Sequence, residues 1–371
     1  MAGRMTTITV QIPGKRAHDI VVGVDILDEL PRRIVTLGLA RGVLIISSPT
    51  IYGLYGERVR AVLEVGGCEP VFHVLFPDGE EHKNLATFQR LCEEVHHVED
   101  RGGTKVLIVN LGGGVVGDVG GFVAATYERG RDYIQLPTTL LGDVDCGIGG
   151  KTGINHLGKN LIGAFHQPRL VLAELSFLRS LPPREVRCGL SEVIKYGVAL
   201  DAELFAFVQA HVREAVALEL PVIRPLVNRS FELKARTVEQ DERDTLGIRA
   251  KLNFGHTVGH ALEAATRYAA YAHGEAVAIG MVCACEIAER LGLFTQALTA
   301  RVEALCADVG LPTYMAGADV DEIMRVMRHD KKFIGGKNRF VLPIAIGESV
   351  LKTEIDEALI RSVIRGRMRS A

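Results

Sequence analysis

The junction at residues 105–118 limits the fold more than any other stretch. A β-rich apolar run, Val106-Leu107-Ile108-Val109, gives way to three consecutive glycines, Gly112, Gly113 and Gly114, and a helical pattern begins directly after them. A strand that is apolar on both faces belongs in the middle of a sheet covered by helices on either side. Glycines at its end let the backbone turn sharply into the next helix. Upstream, residues 6–12 and 20–24 alternate like short strands, 43–47 and 71–76 are β-rich, and helical spacing runs over 57–65 and 85–98. Further β-like runs follow at 133–136 and 170–174. Strands and helices in alternation predict a doubly wound α/β domain.

A strand that ends in glycines and turns into a helix presents unpaired backbone N–H groups at the positive end of a helix dipole, which suits a pyrophosphate. Gly112, Gly114 and Gly117 meet the G-x-G-x-x-G spacing. No second strand ending in an acid follows about 20 residues on, so a plain structural turn stays equally open. Asp118, just inside the helix, serves either a ribose or the helix cap. Gly79-Glu80-Glu81-His82-Lys83 is a charged loop tip of a kind that is ordinarily solvated. Residues 143–160 are less ordinary: Asp143, Asp145, Lys151, Asn155, Lys159 and Asn160 stand among glycines that keep the backbone close to whatever is bound. This is an anion-handling loop. Only Gly149-Gly150-Lys151-Thr152 matches a P-loop, so nucleotide hydrolysis is not expected.

After Leu181-Pro182-Pro183 the pattern from 184 to 308 is helical, Ala-rich and charged on one face. We place a domain boundary near 177, giving an α/β domain over 1–176 and an all-α domain over 177–371, with a last β-like segment at 339–346. Asn253-Phe254-Gly255-His256-Thr257-Val258-Gly259-His260 sets two imidazoles one helical turn apart on one face. Ser191 is the expected cap of a helix carrying Glu192 and Lys195, and His273 follows downstream. A carboxylate and three imidazoles are the inventory of an open catalytic zinc site. Spacing alone pairs His256 with His260. Lys234 and Arg249 flank a charged loop, Asp241-Glu242-Arg243-Asp244.

Composition removes several alternatives. At 371 residues, with 47% hydrophobic and 24% charged residues, the chain is long enough for two domains with ordinary cores. The formal charge of −2 gives no basic field for nucleic acid, so any anion binding is local. Seven cysteines without a C-x-x-C fit a reduced cytoplasmic protein better than a disulfide framework. No stretch has the form of a leader, and none approaches the roughly 20 apolar residues of a membrane span.

Taken together, these motifs resemble the 3-dehydroquinate synthase family of sugar-phosphate cyclases. The resemblance runs from Gly79 to about Gly347 and rests on Gly112-Gly-Gly-Val-Val-Gly-Asp118, Gly149-Gly-Lys-Thr-Gly153, Leu157-Gly-Lys-Asn-Leu-Ile-Gly-Ala-Phe165, Gly189-Leu-Ser-Glu-Val-Ile-Lys-Tyr-Gly197, Leu252–His260, His273-Gly-Glu-Ala-Val277 and Asp330-Lys-Lys332. It implies an NAD-binding domain, a helical metal- and substrate-binding domain, a cleft between them, and a homodimer. Implied metal ligands are Glu192, His256 and His273, for Zn²⁺ or alternatively Co²⁺, with His260 near the substrate instead. NAD contacts fall on Glu80, Lys83, Gly112, Gly113, Gly114, Val115, Asp118, Thr138, Thr139, Lys151 and Lys159. Asp145, Lys151, Lys159, Asn160, Lys195, Lys234, Arg249, Asn253 and Lys332 would surround the substrate, and Arg129 would reach the neighbouring subunit's site.

The implied reaction turns 3-deoxy-D-arabino-heptulosonate 7-phosphate into 3-dehydroquinate and phosphate by transient oxidation, elimination, reduction and aldol closure. Sister cyclases that make 2-deoxy-scyllo-inosose or 2-epi-5-epi-valiolone share this logic but act on substrates without a carboxylate. A buried Lys234 and Arg249 pair would be costly without an anion to meet, which favours the carboxylated substrate. A metal-dependent polyol dehydrogenase and an inactive NAD-binding regulator are the remaining alternatives. Departures from the family pattern are a segment one residue shorter between Asn155 and Lys159, a loop one residue longer between Lys234 and Arg249, Ser47-Ser48-Pro49-Thr50 where an adenosine contact is expected, and Cys146-Gly147 beside Asp145.

Overall fold

In the computed structural model, which describes residues 5–39, 41–329 and 338–369, one seven-stranded sheet organises the N-terminal part. Its strands are β1 (Met5–Val10), β2 (His18–Gly23), β3 (Val43–Ser47), β4 (Val71–Leu75), β5 (Leu107–Gly112), β6 (Tyr133–Pro137) and β9 (Leu170–Glu174), in the order β1-β2-β9-β6-β5-β3-β4. Every neighbouring pair is parallel except β1 with β2.

Strands β3, β5, β6 and β9 are buried at every residue, so both faces must be covered. Val43 and Ile45 of β3 enter one apolar cluster with Leu30 and Leu63 of helices Glu29–Thr36 and Glu57–Val65. Leu44 and Ile46 enter the other with Leu91 and Val119 of helices Leu85–Gly102 and Gly114–Thr126. That is the period of two expected of a strand buried on both sides, and each such side chain is worth about 1.5–3 kcal/mol of burial.

The chain leaves β3 for β4 on one side and returns to β5 on the other. The carboxyl ends of β3 and β5 therefore flank a topological switch point, where ligands bind in doubly wound folds. Ser47 Oγ, at the end of β3, donates to Leu111 O of β5 at 2.7 Å. The glycine turn begins one residue later.

Residues 151–165 form a hairpin, β7 (Lys151–Ile154) with β8 (Ile162–Phe165), which the glycine-rich sequence did not disclose. It lies directly on helix Gly114–Thr126: a Cβ added at Gly121 would stand 2.5 Å from Thr152 Cγ2.

By internal contacts the chain divides into two units, Met1–Leu181 with Lys234–Arg243, and Pro182–Leu233 with Asp244–Ala371. Among its described residues the second unit is helical apart from the hairpin of β10 (Arg339–Ala345) and β11 (Glu348–Thr353). Its central helix is Pro183–Ala199, buried almost throughout its last three turns. The expectation that Ser191 caps it is corrected: Pro183 opens the helix, where its missing N–H costs nothing, and Ser191 is a buried mid-helix residue. Helices His256–Ala265 and His273–Arg290 cross with almost no side chain between them, since a Cβ at Gly280 would lie 2.0 Å from Gly255 O.

His18, at the start of β2, is buried, and neither ring nitrogen has a partner among the described residues. Burial lowers its pKa from 6.5 to about 4; the Asp19 carboxylate opposes this and Arg169 adds to it. The unfolded chain thus takes up the proton first as pH falls, and stability present above pH 6.5 is lost down to pH 4. Linkage sets the loss between pH 7.5 and 5 at about 2 kcal/mol. In urea titrations at the two pH values, His18→Leu is expected to show a pH-dependent loss smaller than the wild type's by about that amount; equal losses would contradict the assignment.

Candidate active site

In the first unit the site starts at the glycine turn. Helix Gly114–Thr126 has Gly113 as its N-cap with no side-chain cap, and its first ladder bond is Gly117 N–H to Gly113 O at 3.0 Å. The N–H groups of Gly114, Val115 and Val116 are the first-turn donors that a helix leaves without an internal acceptor. The turn is walled closely: a Cβ at Gly113 would lie 3.0 Å from Thr139 Cγ2, and one at Gly114 would lie 3.2 Å from Cys146 Sγ. Thr138 is buried, and its Oγ1 has no partner among the described residues. An orphaned hydroxyl beside an open helix N-terminus, at the switch point, fits a bound phosphate-bearing cofactor.

Asp118 does not cap this helix, because it is the fifth residue and lies a full turn inside. Its Oδ2 instead accepts from Lys83 Nζ at 2.5 Å, and Glu80 Oε1 is 4.0 Å from the same ammonium. Burial works against the Lys83 charge, but the Asp118 and Glu80 carboxylates outweigh it and hold its pKa above the ordinary value. Lys83, at the end of the 79–83 stretch, is therefore not solvated, being only 3% exposed, whereas Glu81 stays exposed.

Asn155 fastens the β7–β8 connection to that turn: its N–H donates to Lys83 O at 2.7 Å, and its Nδ2 donates to Glu80 Oε1 at 2.8 Å. Asn160 N–H returns to Asn155 Oδ1 at 2.9 Å. Lys151 is exposed at the first position of β7, and Lys159 is half-buried near the tip. The two aspartates of this stretch differ in kind. Asp143 is wholly buried, and burial together with the Glu174 charge raises its pKa well above the ordinary value. Asp145 is ion-paired, its Oδ1 and its backbone carbonyl accepting from Lys234 Nζ at 2.8 and 2.6 Å. This corrects the expectation that Lys234 and Arg249 form a basic pair lacking an anion: Lys234 already meets Asp145.

The second unit gathers the metal-ligand candidates. Glu192 lies on helix Pro183–Ala199 with no exposure, ion-paired to Lys195 one turn on, itself 1% exposed. Glu192 Oε1 stands 3.6 Å from both His256 Nε2 and His273 Nε2. His256 and His273 are the first residues of their helices. The ligating atoms of His256, His260 and His273 lie within 4.8 Å of one another. The Nδ1 of His256 faces Phe254 O at 3.0 Å, which assigns Nδ1 as donor and leaves Nε2 as the acceptor nitrogen. Gly274 makes this convergence possible, since a Cβ there would meet Cys188 Cα at 2.4 Å. Two imidazoles with Nε2 directed at one buried carboxylate oxygen, and a third ring alongside, are a donor set fit for a divalent cation.

Arg249 opens a short helical turn, Arg249–Asn253, and is 2% exposed; Asn253 is half-buried at its end. Arg129 is exposed, on a turn where Glu128, Arg129 and Gly130 all have positive φ (46, 65 and 130°). Lys332 lies outside the described residues. Sequence reasoning missed Asn155 as a fastening residue and overlooked Glu263, 3.4 Å from His273 Nδ1. The signal for the latter was present: Glu263 follows His260 by three residues on one helix.

Comparison with known proteins places this geometry. Residues 73–188 match the model of the 3-dehydroquinate synthase N-terminal domain, and residues 189–333 match that of the C-terminal domain. The chain is 46% identical to the 3-dehydroquinate synthase of Nostoc punctiforme over 363 residues, 97% of this chain and 99% of that one. Among solved structures it is similar to a 2-deoxy-scyllo-inosose synthase complexed with carbaglucose-6-phosphate, NAD⁺ and Co²⁺ (TM-score 0.87, 26% identity, covering 98% of this chain and 100% of the other). It is likewise similar to the 2-epi-5-epi-valiolone synthase of Streptomyces hygroscopicus with NAD⁺ and Zn²⁺ bound (TM-score 0.85, 27% identity, covering 96% and 98%). A glycine turn at a switch point, a cluster of one carboxylate and three imidazoles, and near-full-length identity all agree that the chain belongs to the 3-dehydroquinate synthase family.

Proposed function

We propose that the chain converts 3-deoxy-D-arabino-heptulosonate 7-phosphate into 3-dehydroquinate and phosphate. The observation that carries this is the 46% identity to a 3-dehydroquinate synthase over nearly the whole chain, against 26–27% to the sister cyclases. When bound, NAD⁺ supplies a hydride acceptor that is regenerated in each turnover, and a divalent ion, Zn²⁺ or Co²⁺, supplies Lewis acidity at a substrate hydroxyl.

The chain's own groups do the rest. The Gly113–Val116 turn and Thr138 hold the cofactor's phosphates, with Lys83, fixed by Asp118, beside them. Glu192, His256 and His273 hold the ion, and Lys195 balances the carboxylate charge. His260, whose ring stands 5.1 Å from that of His256 between centroids, exchanges a proton with the substrate. Asp145 and Lys234, already paired, together with Lys159 and Asn160, orient hydroxyls. Lys151, Asn253, Lys332 and a second subunit's Arg129 meet the phosphate. Arg249 meets the carboxylate, because its planar fork makes two parallel hydrogen bonds that a lysine cannot reproduce. We place the protein in the cytoplasm as a homodimer; the exposed Arg129 turn supports the second point, and among the described residues no helix is long and apolar enough to cross a membrane.

Three outcomes are expected. In metal analysis after gel filtration, His256→Ala emerges without its ion, whereas His260→Ala retains it and loses activity; equal loss in both would return the ligand set to the simple i, i+4 pair. Phosphate release proceeds with NAD⁺ in catalytic amount, and steady accumulation of NADH during turnover would instead point to a dehydrogenase. Arg249→Lys lowers kcat/KM for the carboxylated substrate by roughly 10- to 150-fold, the worth of one charge-assisted hydrogen bond, and barely affects an analogue without the carboxylate. Equal slowing of both substrates would favour a sister-cyclase activity.

A further inference from the structure

Glu263 is a second carboxylate at the histidine cluster, and the functions assigned so far leave it without a task. It lies on helix His256–Ala265, three residues beyond His260, and is only 4% exposed. Its two oxygens are equidistant from His273 Nδ1, at 3.4 Å each, so either can accept from that nitrogen. The other nitrogen of the same ring, Nε2, is the one that stands 3.6 Å from Glu192 Oε1. His273 is therefore held between two buried carboxylates from different helices, one at each nitrogen. His256 is held otherwise: its Nδ1 faces a neutral acceptor, Phe254 O, at 3.0 Å.

An imidazole ligates through one nitrogen, and the hydrogen bond made by the other decides which nitrogen that is. A carboxylate behind the ring also raises its basicity more than a carbonyl does, because the accepting charge stabilises positive charge developing on the imidazole. Glu263 occupies the Nδ1 side, away from the edge that faces Glu192, so it does not belong to the donor set itself.

We propose that Glu263 is a positioning residue for the metal centre: it accepts the Nδ1–H of His273, fixes the tautomer that leaves Nε2 as the donor, and makes His273 the stronger of the two imidazole ligands. The inference rests on the reading of Glu192, His256 and His273 as a divalent-metal site.

The test uses the full chain and the variants Glu263→Gln and Glu263→Ala. Gln keeps the shape and a neutral acceptor; Ala keeps neither. Each protein is stripped of metal, checked by circular dichroism and thermal melting, and titrated with Co²⁺ against a competing chelator while the d–d absorption is recorded. NAD⁺ affinity is measured in parallel by calorimetry. Co²⁺ affinity is expected to fall about 10-fold in Glu263→Gln and about 100-fold in Glu263→Ala, with shifted d–d bands and unchanged NAD⁺ affinity. If Glu263→Ala fails to fold, the isosteric Gln variant alone decides. Co²⁺ affinity within twofold of wild type in the folded variants would overturn the proposal, as would equal losses matched by falls in NAD⁺ affinity and melting temperature. Should the wild type bind no Co²⁺, or His256→Ala bind it as tightly as the wild type, the metal-site reading fails and this inference falls with it.

Discussion

A fully buried carboxylate, Glu192, is the constraint around which the helical unit is arranged. An ionised group without exposure is tolerated only if opposite charge and polar hydrogens surround it, because its desolvation otherwise costs several kcal/mol. The unit supplies Lys195 one turn along the same helix, and brings the Nε2 atoms of His256 and His273 to 3.6 Å. Those rings arrive from two other helices, so three helices must approach more closely than ordinary side chains allow. Gly255, Gly274 and Gly280 remove the obstruction at the crossings, each standing where a Cβ would fall within 3 Å of a neighbouring backbone. The Gly-rich spelling of Asn253–His260 and His273–Gly280 is thus a packing requirement of the same charge that gives the site its chemistry.

The sheet unit solves a related problem with different parts. Helix Gly114–Thr126 must sit close over β5 and β6, whose inward residues include the polar Asn110 and Gln135. Gly117 and Gly120 make room, since a Cβ at Gly120 would lie 2.0 Å from Asn110 Oδ1. Close seating fixes the helix N-terminus at the carboxyl end of β5, where its unpaired N–H groups point away from the sheet. The helix that reads as unusually glycine-rich is placed by those glycines rather than weakened by them, although each costs roughly 1 kcal/mol of helix propensity.

Most of the framework was legible because apolar periodicity reports burial directly. The seven strands of the sheet, helix 57–65, all but the last turn of helix 85–102, and the turn at Gly112 follow from alternation and from glycine placement. The β7–β8 hairpin was not legible. Its strands carry Lys151, Gly153, Gly163 and an exposed Phe165, so their residues have no common apolar face, and the segment is held by backbone pairing and by packing on Gly121. The start of helix Pro183–Ala199 was misplaced because Ser191 resembles a cap, whereas a proline at the first helical position is the stronger signal. Ion pairs such as Lys234 with Asp145, 89 residues apart, leave no trace in local pattern.

That last pair changes how substrate choice is to be understood. Two buried cations with no anion would argue for an acidic substrate on electrostatic grounds alone. Lys234, however, has its charge met twice over, by the Asp145 carboxylate and the Asp145 backbone carbonyl. Its ammonium has one proton left to offer, enough to bind a hydroxyl or to support a neighbouring group, but its net charge is already spoken for. In the proposed reading it is Arg249, 2% exposed and carrying five N–H donors, that meets the substrate carboxylate. A buried guanidinium that makes two parallel bonds to a carboxylate loses both with a substrate that lacks it. On that proposal, discrimination among the cyclases rests on one planar side chain rather than on a basic field, consistent with a chain whose formal charge is only −2.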